Sequence, residues 1–308
     1  MIRKLVPLIV ITVLLCPAAG MAKAADKIAL VVSTLDNPFF VTMSDGAKAK
    51  AKALGLDLVV VDSQNDPAKE LANVEDVLDQ NVKVLLLNPV DSDAAKASVR
   101  AAQVDNVPVI TLDRSANGAK VICHIASDNV GGGKTAGELI ISKLGGHGNV
   151  AELEGQPGTD AARDRSNGFR EAIAGAPGIK LVASQPANFD RTQGLNVMEN
   201  MLQAHPDIDA VFAANDEMAL GATKAIQASG RKIIVVGFDG TRDGIAAVRN
   251  GSMYATIAQQ PELIGSLGVE QANNLITGHH IPKSIPVPLK VISNGAPVVH
   301  GADQASTR

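Results

Sequence analysis

Short apolar runs alternate with helix-type segments along almost the whole chain, and this alternation constrains the fold more than any other feature. Most of the runs are separated by segments with apolar residues every three to four positions, which is typical of amphipathic helices. Near-continuous apolar strands between helices predict parallel sheets covered on both faces. Ten strands would overfill one small doubly wound sheet, so the sequence predicts an α/β protein of two such lobes. The ten predicted strands are 28–32, 58–61, 84–87, 107–112, 121–125, 150–153, 180–183, 210–213, 233–238 and 254–258.

Two places in the chain are candidates for crossings between the lobes. The strand runs 107–112 and 121–125 follow each other without a helix between them, which favours a crossing at residues 128–133. A second crossing is predicted at 259–261, where a strand pattern changes abruptly to a helix pattern. The residues from Ile292 onward are small and polar, and they predict a loose tail.

The N-terminus has the pattern of a secretory signal peptide. Arg3 and Lys4 precede an apolar run at 5–15, and Ala22-Lys23-Ala24 supplies the small-x-small pattern that signal peptidase reads. The apolar run is shorter than the ~20 residues that a transmembrane helix needs. We therefore predict a signal peptide at residues 1–24, cleaved near Ala24, and an exported product.

Charge and residue types exclude several classes of partner. The formal net charge is −4, with 28 basic and 32 acidic residues, so the chain lacks the basic excess that nucleic acid binding requires. The two cysteines cannot form a disulfide framework, and signal cleavage would leave Cys123 alone. The six histidines are scattered and show no paired metal spacing. The sequence therefore predicts no nucleic acid partner, no metal and no cofactor.

Polar residues follow or end many of the predicted strands, at the edge where ligands bind in parallel α/β sheets. Any one of them is also explained as a turn former or a helix cap. Four of the six phenylalanines lie close to them: Phe39, Phe40, Phe189 and Phe238. This mixture suits a sugar, because hydroxyls both donate and accept hydrogen bonds and the C–H faces of the ring pack on aromatic side chains. The polar residues at the strand ends are Asn37, Asn88, Asp113, Arg114, Asn215, Asp239 and Gln259.

Six motifs resemble those of the periplasmic ribose-binding proteins of Gram-negative bacteria, in the same order from about Lys27 to Val291. The motifs are Asn37-Pro38-Phe39-Phe40, Asn88-Pro89, Leu112-Asp113-Arg114, Ala161-Ala162-Arg163-Asp164-Arg165, Asn215-Asp216-Glu217-Met218-Ala219 and Gly237-Phe238-Asp239-Gly240. The resemblance implies a set of ligand-binding residues, and every such position carries the family's residue type. The set is Asn37, Phe39, Phe40, Asn88, Asp113, Arg114, Arg165, Phe189, Asn215, Phe238, Asp239 and Gln259.

The same resemblance implies a fold and a function. The fold would be that of a type 1 periplasmic binding protein, with two doubly wound parallel-sheet α/β lobes joined by a three-stranded hinge. The lobes would comprise residues 25–127 plus 260–288 and residues 128–259 plus 289–295, followed by a tail at 296–308. A monomer in the periplasm would capture D-ribose by hinge closure and deliver it to an ABC permease with its ATPase. Allose or another pentose or hexose is the alternative ligand, and a chemoreceptor is a further candidate partner.

Other classes of protein fit the sequence less well. Gly131-Gly132-Gly133-Lys134-Thr135-Ala136 satisfies the G-x-G-x-x-A pattern of dinucleotide enzymes, but an exported protein rarely meets NAD. The glycines are better explained by a crossing and by close packing at a helix start. A sugar-sensing repressor needs a helix-turn-helix before the first lobe, where the signal peptide stands. The hydrolase motifs G-x-S-x-G and H-E-x-x-H are absent, so a secreted sugar- or nucleotide-using enzyme is the weaker alternative and no catalytic residue is predicted.

Overall fold

The structure, a computed structural model, describes residues 25–294, and its strands form two six-stranded sheets. The ten predicted strands correspond to the first ten strands of the structure, and this part of the prediction is confirmed. The strands are β1 (Lys27–Val32), β2 (Asp57–Asp62), β3 (Leu85–Leu87), β4 (Val109–Leu112), β5 (Cys123–Ser127), β6 (Gly148–Glu154), β7 (Ile179–Pro186), β8 (Ala210–Ala213), β9 (Ile234–Asp239), β10 (Ala255–Ala258), β11 (Ser284–Val287) and β12 (Lys290–Ser293). The helices are α1 (Pro38–Leu54), α2 (Pro67–Leu78), α3 (Lys96–Val104), α4 (Asn129–Lys143), α5 (Asp160–Ala174), α6 (Arg191–Ala204), α7 (Asp216–Ser229), α8 (Arg242–Arg249) and α9 (Pro261–Ile276).

The two sheets have the same strand order, so the chain contains two lobes of one design. The first sheet runs β2-β1-β3-β4-β5-β11, and all of its pairs are parallel. The second runs β7-β6-β8-β9-β10-β12, and it is parallel except for the pair of β10 with β12. In such doubly wound sheets the ligand crevice lies beyond the carboxyl ends of the strands, where the strand order reverses. The predicted α/β class with two doubly wound lobes is confirmed.

The chain passes from one sheet to the other three times. It crosses between β5 and α4, between β10 and α9, and between β11 and β12. The first two crossings fall at the two predicted places. We call residues 25–127 and 260–288 lobe 1, and residues 128–259 and 289–294 lobe 2; these boundaries stay those of the prediction.

The glycines at the start of α4 allow two helices of lobe 2 to pack closely. A Cβ atom at Gly133 would collide with the backbone carbonyl of Arg165 on α5. Backbone cannot move away as the end of a flexible side chain can, so the close packing of α4 and α5 requires glycine here. The interpretation of this segment as close packing at a helix start is confirmed. The same contact sets the position of α5, and with it that of Arg165, relative to α4.

The prediction of a loose tail from Ile292 is wrong for its first residues. Ile292 and Ser293 belong to β12, which pairs antiparallel with β10. Its apolar pattern is too short to predict a strand, and the segment is ordered instead by backbone hydrogen bonds to the neighbouring strand β10. The predicted signal peptide at 1–24 and the tail at 296–308 lie outside the described residues.

Residues 25–294 contain neither a membrane-spanning helix nor a cluster of metal-ligating side chains. Over this span no helix has the length and apolar character needed to cross a bilayer. In the same residues no three His, Cys, Asp or Glu side chains come together as a metal site would require. Cys123 is buried in β5, where desolvation raises the pKa of its thiol.

Candidate ligand-binding site

A small cavity lies between the lobes, at the carboxyl ends of both sheets. The space between its lining atoms is about 250 Å³, a volume that includes the part open to solvent. Ten of the twelve residues implied by the sequence resemblance line it, and Ala161 joins them. Ala161 lies one helical turn before Arg165 on α5, so both are on one face of the helix, and this spacing is the feature of the sequence from which Ala161 could have been predicted to line the site. The lining residues are Asn37, Phe39, Phe40, Asp113, Arg114, Ala161, Arg165, Phe189, Asn215, Asp239 and Gln259.

Lobe 1 contributes a buried acid and a buried base that follow β4 directly. The Asp113 carboxylate and the Arg114 guanidinium are each 3% exposed, and Arg114 Nε lies 3.9 Å from Asp113 Oδ2. Arg114 is held from behind, because its Nη1 donates to the carbonyls of Pro89 at 3.1 Å and Val90 at 3.2 Å. This anchoring fixes the guanidinium plane and leaves its Nε free to face the cavity.

Asn88 lies behind the cavity wall, where it ties together the ends of three strands. Its Oδ1 accepts from the backbone N–H and the hydroxyl of Ser33 at 3.1 and 2.8 Å. Its Nδ2 donates to the carbonyl of Leu112 at 3.1 Å and approaches Asp113 Oδ2 at 3.5 Å. The structure therefore gives Asn88 a place that orients Asp113, while its direct contact with a ligand stays a prediction.

Lobe 2 contributes a matching buried acid and base on α5 and β9. Arg165 donates from Nε to Asn129 Oδ1 at 2.9 Å and from Nη1 to the carbonyl of Ala214 at 2.8 Å. The same Nη1 lies 3.4 Å from Asp239 Oδ1, which also accepts from Gln259 Nε2 at 2.8 Å. The polar side chains of this half are thus connected to each other within lobe 2.

The phenylalanines surround these charges. Phe39 and Phe40 meet edge to face with their centroids 5.2 Å apart. The ring of Phe189 lies near both guanidinium groups, 5.6 Å from that of Arg114 and 5.7 Å from that of Arg165. Phe238, which does not line the cavity, lies under Arg165 with its centroid 3.9 Å from the guanidinium carbon. Aromatic faces therefore supply both an apolar wall and cation–π support for the two arginines.

Four residues of the site region have positive φ angles that L-residues rarely adopt. The φ angles are 64° at Asp113, 56° at Asn188, 59° at Phe189 and 114° at Asp239. Each lies at or shortly after the end of a strand, and Asp113, Phe189 and Asp239 line the cavity, whereas the exposed Asn188 donates to Gln193 Oε1 at 2.6 Å. Such conformations cost of order 1–3 kcal/mol each, most for bulky residues, and persist where the surrounding structure over-determines them. Three of the four therefore hold an uncommon backbone conformation at the cavity itself.

Two of the asparagines are both helix caps and lining residues. Asn37 Oδ1 accepts from the backbone N–H of Phe39 at 2.9 Å and caps α1. Asn215 Oδ1 accepts from Met218 N at 2.9 Å and caps α7, while its Nδ2 donates to the carbonyl of Phe189 at 3.2 Å. Capping and ligand binding by these residues do not exclude each other, because capping uses Oδ1 and each Nδ2 carries two N–H groups that can donate.

Burial dominates the electrostatics of the site. Desolvation raises the pKa of Asp113 above its ordinary value, and Arg114 and Arg165 oppose that rise. Desolvation also raises the pKa of Asp239 to about 8 against the opposing effect of Arg165. The pKa of Arg114 is lowered by burial, and Asp113 opposes that change. Hydrogen-bond donors on a bound ligand would stabilise the ionised carboxylates that the dry cleft disfavours.

Three buried atoms of this site have no hydrogen-bond partner in the part of the chain that the structure describes. They are Asp113 Oδ1, Arg114 Nε and Gln259 Oε1. Buried polar groups are normally paired, because leaving one unpaired costs about 1–3 kcal/mol. Two of these atoms accept and one donates, so together they match a neutral molecule whose groups both give and receive hydrogen bonds.

Known proteins are similar to this chain in sequence and in fold. Residues 28–280 match the family model described as periplasmic binding protein domain. The chain is similar to the ribose import binding protein RbsB of Haemophilus influenzae, with 55% identity over 291 residues that cover 94% of this chain and 99% of the relative. It is 54% identical to RbsB of Escherichia coli, with coverage of 94% and 98%. A solved ABC transporter periplasmic solute binding protein from Actinobacillus succinogenes with bound D-allose gives a TM-score of 0.82 at 35% identity, covering 87% of this chain and 97% of that one.

Proposed function

This chain belongs to the periplasmic binding protein family, and on that premise we propose that it captures D-ribose between its lobes for import across a membrane. Its fold is the type 1 fold of that family. The sugar is named by the ribose import binding proteins to which the chain is similar over nearly their whole length. Their names describe binding and import and not catalysis, which supports a receptor rather than an enzyme.

The unpartnered atoms of the cavity carry the proposal. A sugar hydroxyl can donate to Asp113 Oδ1 or Gln259 Oε1 and accept from Arg114 Nε, so one kind of group satisfies all three. Bonds to the ionised acid and base are charge-assisted and therefore stronger than bonds between neutral groups. The phenylalanine rings offer the apolar surface on which the C–H groups of the sugar ring pack.

Closure of the lobes is the proposed mechanism of capture. Asp113 and Arg114 belong to lobe 1, whereas Arg165 and Asp239 belong to lobe 2, so a ligand bonded to both halves favours the state in which they face each other. Exclusion of water from the closed cavity strengthens each polar bond. The lobes can rotate about the three crossings because these are the chain segments that connect them.

The partners and the compartment are part of the same proposal. A receptor of this kind does not move a solute through a membrane, so an ABC permease with its ATPase would receive the sugar. The docking surface would include the rims of both lobes, which are correctly spaced only in the closed form. A monomeric, periplasmic protein released by cleavage near Ala24 would meet these partners, and a chemoreceptor would be a further one.

Calorimetric titration with a panel of pentoses and hexoses tests the ligand. We expect D-ribose to bind most tightly, with D-allose and the other sugars weaker. Recovery of chemically unchanged ribose from the complex would exclude turnover. Tighter binding of another sugar, or no binding of any, would overturn the assignment of ribose.

Small-angle scattering tests the mechanism separately. Saturating ribose should reduce the radius of gyration, because the closed form is the more compact one. An identical profile at saturation would refute capture by closure even if ribose binds. Mass spectrometry of the exported protein gives its N-terminus and tests the cleavage site.

A further inference from the structure

Several hydrogen bonds join the lobes outside the cavity, and three of them involve Asp160, the first residue of α5. Another runs from Gln156 Nε2 in lobe 2 to the carbonyl of Val90 in lobe 1, at 3.3 Å. Asp160 Oδ1 accepts from the Ser92 hydroxyl at 3.1 Å, and Asp160 Oδ2 accepts from the backbone N–H of Ser115 at 2.9 Å. The backbone N–H of Asp160 donates to Ser92 Oγ at 3.0 Å. The backbone N–H of Ser92 donates to the carbonyl of Gly158 at 3.0 Å. Asp160 and Gly158 belong to lobe 2, and both serines belong to lobe 1.

Each half of this contact is ordered by its own lobe. In lobe 1, Asn117 donates its N–H to the carbonyl of Ser92 at 2.7 Å and accepts from the Ser115 hydroxyl at 3.1 Å. In lobe 2, the Thr159 hydroxyl donates to the carbonyl of Gln156 at 2.8 Å and caps α5. Groups that are already held in place lose little freedom when they meet, so more of their bonding energy remains to stabilise the contact.

The absence of a side chain at Gly158 leaves room for Asp91 of lobe 1 beside the contact. The φ of Gly158 is 91°, and a Cβ atom on it would collide with the carboxylate of Asp91 in lobe 1. A side chain at this position would displace the Asp91 carboxylate, and the φ of 91° would itself strain any residue with a Cβ atom. Ser92 is fully buried at the contact, so water does not compete freely for its hydroxyl.

We propose that Asp160, with Ser92 and the backbone of Ser115, forms a latch that stabilises the closed form and sets the affinity without contacting the sugar. Asp160 is absent from the lining of the cavity. Its partners separate when the lobes open, so the latch contributes only to the closed state. The apparent dissociation constant equals the intrinsic one divided by the fraction of closed protein, so loss of the latch weakens every ligand by the same factor.

The test combines a ligand-free measurement with a titration, and only the second rests on the proposed function. In Asp160→Ala, we expect ligand-free protein to be more expanded by small-angle scattering. We also expect the affinities for ribose and for each weaker sugar to fall by one common factor, roughly 10- to 100-fold. Glu171→Ala is the matched control, because it removes a carboxylate from α5 whose ion pair with Lys134 lies within lobe 2.

Ser92→Ala is the second variant, and it keeps the test open if Asp160→Ala does not fold. It should weaken binding in the same way, and the double variant should lose less than the sum of the two because both act on one contact. A change in the ranking of sugars would refute the latch, since it would place Asp160 at the ligand. Unchanged affinity and unchanged ligand-free compaction in both variants would also refute it. If no sugar binds the wild type, the proposed function fails, and the ligand-free compaction still decides about the latch.

Discussion

Replacement of Asp113 by asparagine separates hydrogen bonding from aromatic packing as the main source of ribose affinity. Asn is the right replacement because Asp113 has a φ of 64°, a left-handed conformation that Asn tolerates and Ala does not. The new amide also has nearly the shape of the carboxyl group. Asp113→Asn therefore removes the charge while the backbone and the packing are retained.

The expected loss follows from the contacts of the carboxylate. Its Oδ1 is free for a sugar hydroxyl, and a bond to a charged acceptor contributes about 1.5–3 kcal/mol. Its Oδ2 lies 3.9 Å from Arg114 Nε and 3.5 Å from Asn88 Nδ2, so an amide nitrogen placed there would face two donors. Leaving one member of a buried charged pair unpaired costs about 2–5 kcal/mol. We expect ribose to bind Asp113→Asn roughly 30-fold to several thousand-fold more weakly.

Calorimetric titration of ribose into Asp113→Asn, Asp239→Asn and Phe39→Ala, side by side at pH 7, measures this. Circular dichroism would first establish that each variant is folded, because Phe39 is 4% exposed and its truncation also affects folding. The two Asp variants should lose more affinity than Phe39→Ala, in which the neighbouring Phe40 still offers an apolar surface. Near-wild-type binding by both Asp variants, with loss only in Phe39→Ala, would show that packing on the rings dominates recognition.

Three further outcomes are expected. The pKa of Asp239 is about 8 when the lobes are closed and falls towards ~3.9 when the side chain is exposed to water, so opening of the lobes releases a proton. Raising the pH from 5 to 8 should therefore favour the open form and expand the protein in the absence of ligand. Scattering at both pH values checks this, and a response that survives in Asp239→Asn would contradict it. Gly133→Ala should lower the free energy of unfolding by about 1–3 kcal/mol, or Tm by roughly 2–12 °C, because the added methyl group collides with the carbonyl of Arg165. Thermal unfolding measures this, with Gly175→Ala as the control, because the nearest contact of its methyl group would be at 3.4 Å. D-arabinose and D-xylose, each with one hydroxyl of ribose inverted, should bind up to ~10⁴-fold more weakly if that hydroxyl bonds to a buried carboxylate, and competition calorimetry showing equal affinity would contradict this.

Most of the architecture could be predicted because it depends on local and periodic signals. Continuous apolar runs such as 84–87 predict strands that are buried on both faces, and the periodicity of the segments between them predicts the helices that cover those faces. β11 and β12 were not predicted as strands. β11 is a short edge strand that contains Pro286, and its order comes from pairing with β5.

The candidate site could be predicted in its membership but not in its geometry. Asn and Asp at the ends of strands point to the ligand edge of the sheets, whether they act as caps or as binding groups. Which of them face the cavity depends on the neighbours, and so Asn88 is directed to Ser33 and Leu112 while Phe238 lies under Arg165. The positive φ of Asp239 could not be predicted from the sequence either, since glycine and not Asp is the residue expected at a φ of 114°.

The amino-acid sequence by itself determined the strands, the helices between them and the edge at which polar residues gather, because each depends on residues a few positions apart. Tertiary structure alone decided which polar atoms remain unpartnered in the cavity and which close a contact between the lobes. Asp160 and Ser92 are 68 positions apart, and Arg165 and Asp239 are 74 apart. Asp160 and Ser92 meet only when the two lobes come together, whereas Arg165 and Asp239 meet when α5 packs on the sheet of lobe 2. No local pattern encodes the relative position of layers that are so far apart in the chain.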